Sequence, residues 1–92
     1  PVPTIGIDYA LEYGQARIEI DPTLVQPGER IIVVDDLIAT GGTALAAAQL
    51  LRQAGAVVER ALFVIDLPDL GGAELLHRNG IEVEALMEFE GD

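Results

Sequence analysis

The sequence predicts an α/β fold built on a parallel β-sheet, and two observations support this prediction. Apolar runs at residues 31–34 and 61–67 are rich in β-branched side chains and show no clear apolar–polar alternation, which favours strands covered on both faces. Residues 43–54, between the two runs, are rich in alanine and leucine and favour a helix. Strands that alternate with helices in this way form parallel sheets with right-handed crossovers.

The chain before this unit is less regular. Residues 1–14 show no clean period, and because Pro1 and Pro3 restrict the backbone and Gly6 loosens it, we predict a loop or mobile arm there. Apolar and charged side chains then alternate over residues 16–21, which indicates a half-buried strand.

Residues 30–92 are predicted to form a βαβαβ core. Its elements are a strand at 31–34, a polar loop at 35–42, a helix at 43–54, a strand at 61–67, a short helix at 70–78 and a strand at 81–89. Gly55 follows the first helix, as glycine commonly does at helix C-termini, and Pro68 ends the second strand. No internal repeat or linker interrupts the chain, so residues 1–92 are predicted to be a single domain.

Composition excludes several classes of function. Sixteen acidic residues against five basic ones give a formal net charge of −11, which disfavours capture of nucleic acid or of an anionic membrane. The chain has no cysteine, which excludes a disulfide framework, a thiolate nucleophile and a zinc–thiolate site and favours a cytoplasmic location. No apolar run approaches the ~20 residues that span a bilayer.

The candidate chemistry lies in residues 31–43, IIVVDDLIATGGT. The predicted strand places Asp35 and Asp36 at its carboxyl end, where open α/β sheets bind ligands. The loop that follows offers backbone N–H groups, two hydroxyls and the positive end of a helix dipole, and its adjacent glycines allow close approach. The loop residues are Ala39, Thr40, Gly41, Gly42 and Thr43. Such a loop suits a phosphate, and the carboxylates suit ribose hydroxyls or a divalent cation bound through water. The pattern therefore predicts a site for a ribose 5-phosphate.

A structural role for the same residues stays open. Two aspartates after a strand can cap a loop, and Gly-Gly-Thr before a helix can be a turn with its N-cap. The segment is neither a GxxxxGK[ST] phosphate loop nor a GxGxxG dinucleotide fingerprint. Asp66, at the end of the second strand, is interpreted as a turn-capping residue.

The segment VVDDLIATGGTA resembles the phosphoribosyl pyrophosphate (PRPP) motif of type I phosphoribosyltransferases. Tyr9–Gly14 (YALEYG), the ARIEI strand, the Pro27–Gly28 turn, Asp69–Gly72 (DLGG) and Phe89 are similar to the carboxyl half of the adenine-specific members. The resemblance covers essentially the whole chain. It implies the parallel-sheet, Rossmann-like core of that family in incomplete form, with the amino-terminal half of the fold missing from this chain.

The resemblance also implies an activity. Members of this branch are glycosyltransferases of purine salvage: they transfer the phosphoribosyl group from PRPP to adenine, giving AMP and pyrophosphate, with Mg²⁺ carried on the diphosphate. Asp35 and Asp36 would contact the ribose hydroxyls, and the loop from Ala39 to Thr43 would bind the 5′-phosphate. Glu12 would be the proton-transfer residue near the purine, and Tyr13 would close over the site, which makes residues 1–14 the catalytic arm. No residue of this chain is expected to bind the metal directly.

Further expectations follow from the same resemblance. The enzyme is expected to be a cytoplasmic homodimer. The groups that recognise adenine and bind pyrophosphate are expected in the amino-terminal half, so we expect this chain alone to be inactive and to leave a sheet surface and a strand edge uncovered. Three alternatives stay open: a non-catalytic module that senses PRPP or nucleotides, another purine phosphoribosyltransferase such as a xanthine-specific one, and a structural fragment with a vestigial site.

Overall fold

A computed structural model describes residues 5–11 and 14–90. The elements in that part of the chain are β1 (Ile5–Leu11), β2 (Gly14–Ile20), β3 (Arg30–Ile38), α1 (Gly42–Gln53), β4 (Val57–Asp66), α2 (Gly72–Arg78) and β5 (Glu82–Glu88). Short 3₁₀ turns follow β2, at Pro22–Leu24, and β4, at Pro68–Leu70. None of the helices in these residues is long and apolar enough to cross a membrane.

The second half of the chain forms a three-stranded parallel sheet in the order β3-β4-β5. Helix α1 connects β3 to β4, and α2 connects β4 to β5. The predicted βαβαβ core and the parallel α/β fold class are therefore confirmed.

The hydrophobic core lies between this sheet and its two helices. Its buried residues are Ile38, Ala48, Ala56, Val58, Ala61, Phe63, Leu76 and Ile81. Arg52 links α1 to β4 and to the end of α2. Its guanidinium donates to the backbone oxygens of Asn79, at 2.8 Å, and Val58, at 2.6 Å. The core thereby fixes the helices against one face of the sheet.

The described residues leave the opposite face of the sheet bare, which corrects one prediction and agrees with the expectation of an uncovered sheet surface. Residues 31–34 were expected to be covered on both faces, but only Ile31 and Val33 pack against the core. Ile32 and Val34 are 49% and 69% exposed. Apolar residues on both faces of a strand are typical of a sheet with two covering layers, and the described residues supply one of them.

The amino-terminal prediction is also wrong in part. Residues 5–11 form strand β1, which pairs antiparallel with β2, with Ile5 opposite Ile20 and Leu11 opposite Gly14. The ladder with β2 satisfies the backbone of β1, so the nearby prolines and Gly6 do not prevent a strand. On this hairpin the Arg17 guanidinium donates to Asp8 and Glu19, both at 3.0 Å. These hydrogen bonds, led by the one to Asp8, raise the pKa of Arg17 and keep it charged.

Strand β3 is longer than predicted. It was expected to end at Val34, with a loop over residues 35–42, but its ladder with β4 continues through Ile38. The carboxylates of Asp35 and Asp36 therefore lie within the strand. Pairing with β4 keeps this polar segment extended, which its own composition did not indicate.

Candidate active site

A cavity of about 190 Å³ lies at the carboxyl end of β3. Its lining comprises Asp35 and the continuous segment 37–44. The structure thus brings one of the two predicted carboxylates together with every residue of the predicted phosphate loop, from Ala39 to Thr43. This is the position in an open α/β sheet where ligands bind.

The loop joins helix α1 without a side-chain cap. Gly41 is the N-cap, with a φ of 86° in the left-handed region, and as a glycine it forms no side-chain cap. The Leu45 N–H donates to the Gly41 oxygen at 2.8 Å, so the N–H groups of Gly42, Thr43 and Ala44 have no partner within the helix. Together with the helix dipole, they form a site that favours an anion such as phosphate.

The segment before α2 packs against the loop and donates hydrogen bonds to its backbone. The Gly72 N–H donates to the Ala39 oxygen at 3.0 Å, and the Leu67 N–H donates to the Ile38 oxygen at the same distance. Gly41 and Gly72 are in direct backbone contact. In the sequence, Asp69–Gly72 stands out only through the family resemblance, which did not indicate this supporting role. Two adjacent glycines before a short helix were the available signal.

The two aspartates have different environments. Asp35 lines the cavity, and its Oδ1 accepts a hydrogen bond from the Asp36 N–H at 2.8 Å. Asp36 is exposed and is not among the residues that line the cavity. The geometry therefore places Asp35 beside the loop and leaves Asp36 at its margin.

The proposed catalytic residues Glu12 and Tyr13 lie outside the described residues. In the sequence they fall between β1 and β2. Their side chains are consequently not part of the geometry reported for this site.

Asp66 is the one buried charged residue among those the structure describes, and it is 5% exposed. Its Oδ1 has no hydrogen-bond partner, so no turn cap is formed through this atom. It lies at the end of β4, paired with Ile38 of β3, the residue before the loop. Within residues 5–11 and 14–90, no group of three or more His, Asp or Glu side chains is arranged to hold a metal ion.

The chain is similar in sequence to known proteins over almost its whole length. Residues 10–80 match the family described as the phosphoribosyl transferase domain. An adenine phosphoribosyltransferase from Novosphingobium aromaticivorans is 70% identical over 91 residues, which are 99% of this chain and 51% of that protein. The corresponding protein of Erythrobacter litoralis is 66% identical over 91 residues, with the same coverage.

Solved structures share the fold of this chain. The crystal structure of adenine phosphoribosyltransferase from Thermoanaerobacter pseudethanolicus superposes with a TM-score of 0.89 at 38% identity, covering 97% of this chain and 51% of that one. The Saccharomyces cerevisiae enzyme, complexed with an imino-altritol bisphosphate and adenine, gives a TM-score of 0.85 at 36% identity, covering 94% and 47%.

The chain spans about half the length of the curated relatives that it matches. The family match covers more than three quarters of the chain and includes the whole phosphate loop and the segment that supports it. By this match and by its fold, the chain belongs to the phosphoribosyltransferase family.

Proposed function

We propose that this chain supplies the PRPP-binding half of an adenine phosphoribosyltransferase. The reaction is the transfer of the 5-phosphoribosyl group from PRPP to adenine, which gives AMP and pyrophosphate in purine salvage. The observation that supports this most directly is the cavity at the end of β3, where Asp35 and the N–H groups at the start of α1 face the same space.

The parts of the cavity suit the parts of PRPP. The backbone N–H groups and the two threonine hydroxyls of the loop bind the 5′-phosphate, helped by the dipole of α1. The Asp35 carboxylate accepts hydrogen bonds from the ribose hydroxyls, and Asp36 completes this contact from the margin of the site. The phosphate and the sugar are thereby held in place while the bond at the anomeric carbon breaks and forms.

Glu12 and Tyr13 are proposed to act on the other substrate. Glu12 exchanges a proton with the purine nitrogen, and Tyr13 closes over the reacting atoms and excludes water. Negative charge near the anomeric carbon stabilises the oxocarbenium-like transition state of such a displacement. In this proposal these groups supply the chemical step, and the β3 cavity supplies the positioning.

Mg²⁺ is proposed to enter with PRPP, bound to its diphosphate. The donor set of the cavity fits that arrangement, because Asp35 can contact such an ion through a water molecule without holding it alone. The ion would neutralise charge on the diphosphate as the bond to the sugar breaks.

A chimera tests the proposal, because the chain spans about half of each relative. In the chimera, this chain replaces the matching 91 residues of the Novosphingobium aromaticivorans protein. We expect AMP and pyrophosphate to form from adenine, PRPP and Mg²⁺, and we expect the 92-residue chain by itself to be inactive. The unaltered relative is the positive control.

The outcomes separate the alternatives. A chimera that binds PRPP without forming AMP would favour the non-catalytic sensing module. One that folds but does not bind PRPP would favour a vestigial site. The names of the relatives support the adenine enzyme over these alternatives.

Two further properties belong to the proposal. We propose that the protein acts in the cytoplasm and that it functions as a homodimer. Light scattering on the chimera tests the second point, and a monomeric mass at the concentration of the activity assay would contradict it.

A further inference from the structure

The chain has one asparagine, Asn79, and a glycine follows it. Asparagine loses its side-chain amide most readily before glycine, because a residue without a Cβ atom leaves its backbone nitrogen open to the asparagine Cγ atom. The structure shows why α2 ends on this pair. Gly80 has a φ of 79°, in the left-handed region, and the Asn79 Nδ2 donates to the Leu75 oxygen at 2.8 Å. The end of the helix is therefore built from a chemically labile dipeptide.

The folded chain holds the reacting groups of this pair apart. Asn79 has a ψ of 19°, which places the Gly80 nitrogen beside the Asn79 nitrogen and turns it away from the Asn79 side chain. The Gly80 N–H also donates to the His77 oxygen at 3.0 Å. A bond between the Gly80 nitrogen and the Asn79 Cγ atom therefore requires a rotation about ψ and the loss of this hydrogen bond.

Arg52 of α1 opposes that rotation. Its Nη1 donates to the Asn79 oxygen at 2.8 Å, and its Nη2 donates to the Val58 oxygen of β4 at 2.6 Å. The Asn79 oxygen and the Gly80 nitrogen belong to one planar peptide group. A rotation that brings the nitrogen toward Cγ consequently carries the oxygen away from Arg52, so the hydrogen bond is lost when the reactive geometry forms.

We propose that Asn79 is a site of spontaneous deamidation, and that the hydrogen bond from Arg52 keeps it unreactive while the end of α2 is folded. When that end opens, the Gly80 nitrogen bonds to the Asn79 Cγ atom, the Cγ–Nδ2 bond breaks, and ammonia leaves with the proton of the Gly80 N–H. Water then opens the cyclic imide at either carbonyl carbon, which gives aspartate or isoaspartate at this position. This inference does not depend on the proposed phosphoribosyl transfer.

The product weakens the helix end that the asparagine stabilises. A carboxylate cannot donate to the Leu75 oxygen, and it places negative charge at the carboxyl end of α2, where the helix dipole disfavours it. Isoaspartate also adds a methylene group to the main chain between α2 and β5, which shifts the oxygen that Arg52 binds. Deamidation therefore loosens the connection of α2 to α1 and β4.

The test measures the rate of amide loss at Asn79 by mass spectrometry of proteolytic fragments, which also separates aspartate from isoaspartate. The 92-residue chain is compared with a synthetic peptide of residues 75–84 in the same buffer. The peptide has the same neighbours around Asn79 but neither Arg52 nor β4. We expect the folded chain to react at least about tenfold more slowly than the peptide, because only its opened fraction can react.

Three variants identify what controls the rate. Arg52→Lys keeps the charge but cannot make both hydrogen bonds, and we expect it to raise the rate by about tenfold. Arg78→Lys, at an exposed position of α2, is expected to leave the rate unchanged. Ile38→Val loosens the core at the other end of the sheet and keeps the Arg52 bonds, so it is also expected to leave the rate unchanged.

A second pair of variants measures the effect of the product. Asn79→Asp should raise the equilibrium constant of unfolding by about fivefold or more, because the hydrogen bond to Leu75 is lost. Gln53→Glu makes the same change from amide to carboxylate at the exposed end of α1, and we expect a smaller effect. Urea unfolding followed by circular dichroism compares the two.

Several results would overturn the proposal. Amide loss that is as fast in the chain as in the peptide would show that the fold does not protect Asn79, and this comparison does not depend on any variant. Equal rates in Arg52→Lys and Arg78→Lys would exclude the role of Arg52. A rate raised as much by Ile38→Val as by Arg52→Lys would assign control to general unfolding instead.

Discussion

A Cβ atom on Gly41 would lie 2.9 Å from the Cα atom of Gly72. The phosphate loop and the start of α2 therefore meet backbone to backbone, with no room for a side chain on either residue. A Cβ on Gly72 would in turn collide with the carbonyl oxygen of Ala39. The shape of the loop thus depends on a segment some thirty residues further along the chain.

This contact predicts the effect of Gly72→Ala. The added methyl group pushes the loop away, which we expect to cost about 1–3 kcal/mol in the free energy of unfolding and to weaken PRPP binding. Gly71→Ala is the matched control: its φ of 80° is also unfavourable for alanine, but a Cβ there meets nothing within 4 Å. Denaturant unfolding and PRPP titration of the chimera measure both. Equal PRPP affinity in the two variants would contradict the supporting role of Gly72.

The different environments of the aspartates predict unequal effects. Asp35→Asn should weaken PRPP binding by about tenfold, which corresponds to about 1.4 kcal/mol for a lost charge-assisted hydrogen bond. Asp36→Asn should weaken it less, because Asp36 does not line the cavity. Both variants should fold normally, as the carboxylates are exposed. Calorimetric titration with PRPP and Mg²⁺ measures the affinity of each variant. A greater loss of PRPP affinity in Asp36→Asn than in Asp35→Asn would make Asp36 the main ribose contact.

Replacement of Arg52, which lies away from the site, is expected to lower the free energy of unfolding. Lysine cannot reproduce two hydrogen bonds that diverge from one guanidinium, so Arg52→Lys should lower the free energy of unfolding by about 1–3 kcal/mol. Arg78→Lys, at an exposed position of α2, should change it little. Urea unfolding monitored by circular dichroism compares the two, and matching midpoints would show that the bonds to Asn79 and Val58 contribute nothing.

Replacement of Asp66 by asparagine is expected to raise the stability of the fold. A buried carboxylate oxygen without a partner is costly, and Asp66→Asn removes the charge at almost the same volume. We expect the free energy of unfolding at neutral pH to rise by about 1 kcal/mol. Glu74→Gln, which changes an exposed carboxylate, is the control. A loss of stability in Asp66→Asn would indicate that the carboxylate is required at the end of β4.

Replacement of Glu12 is expected to change the rate of catalysis without changing PRPP binding. If it transfers a proton, Glu12→Gln in the chimera should lower kcat by about a hundredfold and leave PRPP affinity unchanged. Glu59→Gln on β4 is a matched control at an exposed position. Steady-state assays of AMP formation give kcat and KM for both, and a change confined to KM would assign Glu12 to binding instead.

Local patterns were sufficient to predict the second half of the fold. Continuous β-branched runs and an alanine-rich helix are signals carried by each segment alone. Helix α1 appears where its signal lies, and β4 contains the predicted run but begins four residues earlier, at Val57. The position of the loop from Ala39 to Thr43 was also predictable, because glycine and threonine before a helix indicate a turn into its N-terminus. The position of these features needs no distant contact to be recognised, whereas the shape of the loop does.

Features that depend on a distant partner were not predictable in this way. Strand β1 forms because it pairs with β2, and β3 extends to Ile38 because its ladder with β4 continues. The pattern of residues 31–34 did not reveal the bare face, which only the family resemblance led us to expect, because Ile32 and Val34 have side chains suited to burial whether or not another layer covers them. The Gly41–Gly72 contact joins residues whose proximity only the folded chain shows.

The uncapped start of α1 couples ligand occupancy to folding. Its first-turn N–H groups have no side-chain cap from Gly41, so the anion that we propose to bind there would bind the folded chain and not the unfolded one. A ligand at a hundred times its Kd then adds about 2.7 kcal/mol to stability by mass action. The concentration of the ligand in the cell would therefore affect the lifetime of the protein against proteolysis, in addition to its catalytic rate.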